Sequence, residues 1–377
     1  MNIRIYKTAK LRRKALEDSL HLNLPNTAHF SLDEQVVAKK HCENMIGVTQ
    51  IPMGIAGPLI VEDKEYYIPL TTTEGALVAS ISRGCKAVSL SGGVSICVSR
   101  EGQTRGPVFF VASIKKGKEV SQWIEENTSL MEETAKKTSR YISMQQVVVK
   151  SVGQYVFVRF GFDTKDAMGM NMVTIATEEI ANLIEKENGV TCLSVAGNYD
   201  SDKKASWLNF INNRGFQVGA ETVIKKEIVQ KVLKTTPQQL FEVWLAKCMI
   251  GSAMSGSMGF NGHYANVIAA LFIATGQDPA HVVEGSMGVT TMKVLANGDL
   301  YVSIYLPALI VGTVGGGTGL STQNEALQIL GAAGDGKVEK FAGIIGGAVL
   351  AGELSLLASL AEGSLVTAHQ RLGRGEK

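Results

Sequence analysis

The chain has no cysteine pairing pattern. Its five cysteines, Cys42, Cys85, Cys97, Cys192 and Cys248, stand apart without a CxxC pair, which argues against a disulfide framework or a zinc site and fits a reducing, cytoplasmic compartment. It has no excess of charge either: 37 Lys and Arg balance 35 Asp and Glu, for a net +2, so no global field points to a nucleic-acid partner. A secretory leader is missing, because MNIRIYKTAKLRRKALEDSL is basic throughout and holds no apolar stretch. The most apolar late run, AGIIGGAVLAGELSLLASLA, is interrupted by Glu353, and neither side reaches the ~18 apolar residues of a membrane span. No GxGxxG follows a strand, so a Rossmann cofactor site has no support. GAAGDGKV (331–338) resembles a phosphate loop, but Val338 stands where a Ser or Thr would hold magnesium.

What is present is a chain of 377 residues, 45% hydrophobic, enough for a large core and two or three structural units. Residues 1–42 read as a mostly polar helical segment. IGVTQIPMGIAGPL then reads as a loop and turn region at a domain boundary, leading into a strand pair around GPLIVEDKEYYIPL. Between 107 and 195, PVFFVASI, MQQVVVKSV, YVFVRFGF and VTCLSVAG read as strands. The stretches 118–139 and 170–186 read as helices. That order is β-α-β-β-α-β, a ferredoxin-like split βαβ unit. The expected fold is therefore α+β: a large α/β domain (43–106 and 196–377) around a long central helix, with a small ferredoxin-like domain (107–195) inserted. The central helix is expected over 247–276, where each interior glycine costs ~1 kcal/mol against alanine and so needs a packing reason.

DAMGMNM (166–172) sits between the last strand of the insert's hairpin and its second helix. Asp166 suits an N-cap, Gly169 lets an anion approach the free N–H groups of a first helical turn, and the methionines offer adaptable apolar walls. A ligand cradle and an ordinary capped helix both remain open on this chemistry. VGTVGGGTGLSTQ (311–323), which contains Gly315 and Gly316, allows close backbone approach. Glu74 in TTTEGALVAS reads as a capping carboxylate or as a functional acid. Asp202, Lys203 and Lys204 in NYDSDKKAS read as a solvated turn or as a charged site, Asp278 in TGQDPAHVV as a helix cap, and His369 as a surface residue.

Taken together, these blocks resemble the catalytic portion of hydroxymethylglutaryl-coenzyme A (HMG-CoA) reductase, class I. ENMIGVTQIPMGIAGPL, TTTEGALVASISRGCKA, TRGPV, TSRY, DAMGMNM, GNYDSDKK, KCMIGSAMSGSMGFNGHYAN, IATGQDPA, TVGGGTGL and AGELSLLASLAEGSLVTAH occur in family order over residues 43–369. The resemblance implies NADPH-dependent reduction of HMG-CoA to mevalonate through mevaldyl-CoA and mevaldehyde.

By the same resemblance the catalytic residues are Glu74, Lys203, Asp278 and His369. Lys203 would stabilise the oxyanion. Glu74, protonated through burial and the nearby Asp278, would deliver a proton, with Asp278 tying Lys203 and Glu74 into one network. His369 would protonate the departing thiolate. Asp166, Met168, Gly169, Met170, Asn171, Gly315 and Gly316 would contact the cofactor, with Ser139 and Arg140 on its extra phosphate. Arg105, Asp202, Lys204, Lys247 and Asn266 would hold the HMG moiety, and no metal is needed. Ala196 replaces a serine of the family's substrate site, a single glycine (Gly259) precedes Phe260, and QRLGRGEK after His369 lacks the serine phosphorylated in animal forms. The membrane anchor of animal and fungal members is absent from this sequence. The resemblance further implies a soluble homodimer or higher homo-oligomer with its active site between subunits. Two alternatives stand beside it: catabolic oxidation of mevalonate with NAD, and a non-catalytic CoA-thioester-binding protein.

Overall fold

The hairpin at the domain boundary shows how local sequence sets the frame. In the computed structural model, which describes residues 2–363, β1 (Met53–Val61) and β2 (Lys64–Thr71) pair antiparallel. Glu62 and Asp63 between them both adopt left-handed φ values, 47° and 61°, the geometry whose twist matches a two-residue hairpin. Eight more strands form one antiparallel sheet: β3 (Ser95–Arg105), β4 (Val108–Phe110), β5 (Ser143–Val152), β6 (Tyr155–Asp163), β7 (Thr191–Ser194), β8 (Gly215–Ile224), β9 (Val289–Val294) and β10 (Leu300–Leu309). Their order is β7-β4-β6-β3-β8-β10-β9, with β5 on the other edge of β6.

β3 and β4 share one edge of β6. Residues 103–105 pair with 160–162, and 108–110 with 155–157, so Gly106 and Pro107 mark a kink in one path. The strands β7-β4-β6-β5 carry the helices Ile114–Glu126, Thr128–Thr138 and Met170–Asn188, and enclose a core of their own around Phe109, Ile124, Phe160 and Ile180. This strand order is that of a split βαβ unit. The single helix expected over 118–139 is two, broken at Asn127, whose side-chain amide donates to the Trp123 carbonyl (2.8 Å) and ends the first.

The long central helix is not the expected one. Over 247–276 the chain forms a π-helix (Leu245–Gly251) and one short turn (Ser252–Ser255). It stops at Gly256 (φ 65°) and restarts as the helix Tyr264–Thr275. The restart is capped from elsewhere: the buried Glu353 carboxylate accepts the Gly262 and His263 amides and the Thr290 hydroxyl. Its owner, Val338–Glu362, is the central helix, packed on β8, β3, β10 and the helix Leu77–Leu90. Although 25 residues long and apolar enough to cross a membrane even with Glu353 in it, it has 83% of its most apolar window buried in this fold.

Gly84 sets how closely the helix Leu77–Leu90 approaches that core, since a Cβ there would lie 1.8 Å from the Ala351 carbonyl oxygen. Gly84→Ala is expected to destabilise the protein by at least about 1–3 kcal/mol, as overpacking does. Gly319→Ala, at a position with no atom within 4 Å, serves as the near-neutral control. Thermal melting of both variants reads the difference, and equal melts would show that the two helices can separate without cost.

Candidate active site

The loop 198–206 departs furthest from a solvated turn. Asp200 and Ser201 are buried, and Asn198, Ser201 and Lys203 all adopt left-handed φ values of 54–64°. Such non-glycine residues each cost about 1 kcal/mol or more and persist only where their surroundings over-determine them. Here Thr104 donates to the Asp200 carbonyl (2.7 Å), Ser201 to Asn209 (2.6 Å) and the Lys203 amide to Glu284 (3.1 Å). The Lys203 ammonium, thus aimed, lies 2.8 Å from Asp278 Oδ2. Asp278 also caps the turn that follows it, its Oδ1 accepting the Ala280 amide at 3.0 Å. Burial pushes the Asp278 carboxyl up, but the Lys203 ammonium, the Ala280 amide and the His281 ring outweigh it and hold the group below the usual carboxylate range.

Behind this pair stands a buried charged network that sequence reasoning missed. Arg214, with no exposed side-chain surface, bridges Glu284 (2.6 Å) and Asp202 (2.9 Å) and donates to Thr104 (2.8 Å). Glu284 is equally buried and meets His281 Nδ1 at 2.8 Å. Arg105 reaches Asp202 (3.2 Å) and Asp200 (3.4 Å). Burial raises both aspartates' carboxyls; at Asp202 the charges of Arg214, His281 and Arg105 reverse the shift, whereas at Asp200 burial prevails. One signal was present in the sequence. Asp278, His281 and Glu284 recur every third residue, a spacing that lines up one face of a helical turn.

Glu74 belongs to the same region by another route. It caps no helix: Leu77–Leu90 starts at Ala76 (φ 79°) without a side-chain cap, and Glu74 Oε2 instead accepts from Asn266 Nδ2 at 2.8 Å. Glu74 is exposed in the single chain, so the burial expected to keep it protonated is absent here. No hydrogen bond or ion pair among the described residues joins it to Asp278. Glu74, Asn266 and Lys247 line one cavity of about 940 Å³, and Ala205 and Val283 line it as well. Lys247 lies in the π-helix, an irregularity frequent at functional sites. The Lys204 ammonium donates to the Asp202 carbonyl at 3.5 Å.

DAMGMNM and TVGGGT lie side by side. Ala167 and Val314 form a parallel bridge, and the Thr313 amide donates to the Asp166 carbonyl at 2.8 Å. The Asp166 side chain does not cap the helix that follows it. Its Oδ1 accepts the Lys337 and Val338 amides (3.1 and 3.2 Å) and so caps the central helix. The helix Met170–Asn188 starts instead at Gly169 (φ 84°), where a Cβ would collide with Thr164. Gly315 and Gly316 face open space. Two contacts link these loops to the network: Arg214 donates to Met170 Sδ (3.2 Å), and Gln277, beside Asp278, accepts the Gly312 amide (2.9 Å). Met168 lies against Gly312, and Asn171 is exposed. Ser139 ends the helix Thr128–Thr138, and Arg140 stacks on its neighbour Tyr141 at 4.7 Å, with no hydrogen bond or ion pair among the described residues joining it to either loop. His369 lies outside the described residues.

The model of the hydroxymethylglutaryl-coenzyme A reductase family matches residues 8–374. A 3-hydroxy-3-methylglutaryl-coenzyme A reductase of Methanothermobacter thermautotrophicus is 46% identical, over 99% of this chain and 95% of that protein. The Pyrococcus abyssi protein of the same name is 48% identical over 97% and 92%. Among solved structures, a class II 3-hydroxy-3-methylglutaryl-CoA reductase from Streptococcus pneumoniae, bound to NADPH in open conformations, aligns with a TM-score of 0.71 at 20% identity, over 95% of this chain and 99% of that one. At that identity the likeness speaks for the fold alone.

Because the Asp278 carboxyl is held low in the folded state, the pairing stabilises the protein above the unfolded value of about 3.9 and is lost as pH falls through the depressed folded value. The stability gap between the wild type and Asp278→Asn should therefore be constant near neutrality and shrink below about pH 4. Denaturant melts at pH 3 to 7 read it, and a gap that widened in acid would contradict the sign.

Proposed function

The chain belongs to the hydroxymethylglutaryl-coenzyme A reductase family, and from that premise we propose that it reduces HMG-CoA to mevalonate and free CoA with two NADPH, as a class I member. The observation that carries the reading is the Lys203–Asp278 pair at 2.8 Å, with Ala205, two residues after Lys203, lining the same cavity as Glu74, Asn266 and Lys247.

NADPH supplies the hydrides when bound. DAMGMNM and TVGGGT suit it: Gly315 and Gly316 leave room for a phosphate or ribose, and Gly169 starts a 19-residue helix with no side-chain cap on its free amides. Met168, Met170 and Asn171 would flank the ring and ribose. Asp166 would act mainly by pinning the loop to the central helix. Ser139 and Arg140 would take the 2′-phosphate, for which a guanidinium fork is suited.

The chain's own residues do the rest. Lys203 holds an ammonium against the negative charge that grows on the thioester oxygen. Glu74, oriented by Asn266, gives that oxygen its proton. Collapse of the hemithioacetal breaks the C–S bond, and His369 protonates the CoA thiolate. The resulting aldehyde is reduced by a second hydride, and Lys203 and Glu74 serve again. Lys247 and Lys204 would hold the HMG carboxylate end. Arg105 and Asp202 are engaged with each other, which supports a role in shaping that end of the site. The free thiols of all five cysteines agree with a cytoplasmic enzyme. Ile250 and Met254, 56% and 84% exposed beside cavity-lining Gly251 and Ser255, support a second copy covering Glu74.

Absorbance at 340 nm with purified protein, HMG-CoA and either NADPH or NADH tests the reading; NADPH oxidation that requires HMG-CoA is expected, and none would refute it. In the same assay Lys203→Ala should lose about 10²–10³ in kcat, as removal of an oxyanion partner does, with an unchanged far-UV circular dichroism spectrum. Near-wild-type turnover would remove Lys203 from the chemistry. Arg140→Ala should raise the KM for NADPH while leaving NADH use nearly untouched; equal loss with both would make Arg140 structural.

A further inference from the structure

His281 is buried and no step above uses it. Its Nδ1 lies 2.8 Å from Glu284 Oε1 and its Nε2 3.8 Å from Asp278 Oδ2. Nε2 is enclosed without a hydrogen-bond partner. Glu284 Oε1 already accepts from Arg214 and from the Lys203 amide, so it is an acceptor and Nδ1 must donate to it. Nε2 then either turns a lone pair toward the Asp278 carboxylate or carries a second proton toward it.

The charges around the ring favour the proton. Asp202 (4.0 Å), Asp278 and Glu284 face it, and the cations that pair with those groups, Lys203, Arg214 and Arg105, lie on their other sides. A second ring proton among three carboxylates is a buried charge with partners, and buried charges persist when paired. Although Asp202, His281 and Glu284 bring ligand atoms within 4.8 Å of one another, the Arg214 guanidinium already supplies the cation there.

Resting on the proposed reduction, we infer that His281 is a positioning residue that holds Asp278 while Lys203 is drawn to the substrate oxygen. When the ammonium leaves Asp278 Oδ2, that oxygen needs another donor, and among the described residues Nε2–H is the enclosed group beside it that lacks a partner. A closure of about 1 Å makes the bond. The imidazolium thus keeps Asp278 ionised and in place, so that Lys203 returns to one position for the second hydride step.

The test compares wild type, His281→Gln and His281→Ala for kcat, KM and melting temperature from pH 5.5 to 9. His281→Ala should lower kcat about 10- to 100-fold, the scale of a small misplacement at a reacting centre, with the KM for HMG-CoA and NADPH changed less than about threefold. His281→Gln keeps one donor, so it should recover part of kcat and remain folded if the Ala variant does not. An unchanged kcat in His281→Ala overturns the inference. So does a kcat loss equal in both variants and matched by lower melting, which marks a structural residue. These outcomes all presuppose an active wild type; a wild type that does not oxidise NADPH with HMG-CoA refutes the proposed function itself.

Discussion

The Lys203 side of the site rests on one buried ion pair, Arg214 with Glu284, neither of which exposes any side-chain surface. Removing two charges from water is costly, and such a pair is weak evidence for stability gained. Its effect is geometric. Glu284 receives the guanidinium, the imidazole of His281 and the backbone amide of Lys203 on one oxygen. Lys203 is held with a left-handed backbone and its ammonium directed at Asp278. On its other side Arg214 fixes Asp202 and touches Met170 of the loop beside the glycine-rich turn. One guanidinium therefore refers the loop 198–206, the Asp278 turn and the DAMGMNM loop to a common point.

The scaffold supplies that point from two bodies. Arg214 directly precedes β8, and Thr104, which it bonds, lies on β3 where the sheet passes from the large core to the smaller one. Asp166 of the smaller body caps the central helix of the larger, and Glu353 of that helix caps the helix that carries Asn266. Two buried or half-buried carboxylates thus satisfy helix-start amides far away in sequence, and each positions a residue of the site.

The sequence disclosed types of residue better than their partners. Strand alternation and turn chemistry gave the hairpin β1–β2 and the strands of the split βαβ unit, because local burial and turn residues decide those. The central helix was misplaced. Both candidate stretches are apolar and glycine-rich, and what separates them is Glu353, which reads as an interruption of its own segment but is spent capping the other. Asp166 was misread in the same way, as the cap of its own helix. Glu74, Lys203 and Asp278 were named as candidates through family blocks rather than through local chemistry. Arg214 carried no motif, and the three-residue spacing of Asp278, His281 and Glu284 named no partner, since their meaning lies in contacts up to 110 residues apart, as from Arg214 to Thr104.

The central claim is that the Arg214–Glu284 pair is kept for the geometry of Lys203 rather than for stability. A double-mutant cycle with Arg214→Met and Glu284→Leu tests it by reading unfolding free energy and kcat on the same preparations. Each single variant strips a buried charge of its closest partner and should lose about 3–5 kcal/mol, whereas the double variant should regain most of that loss. Its kcat should nevertheless stay down by about 10²-fold, the scale of a misplaced reacting group. A double variant that recovered both stability and wild-type turnover would contradict the account.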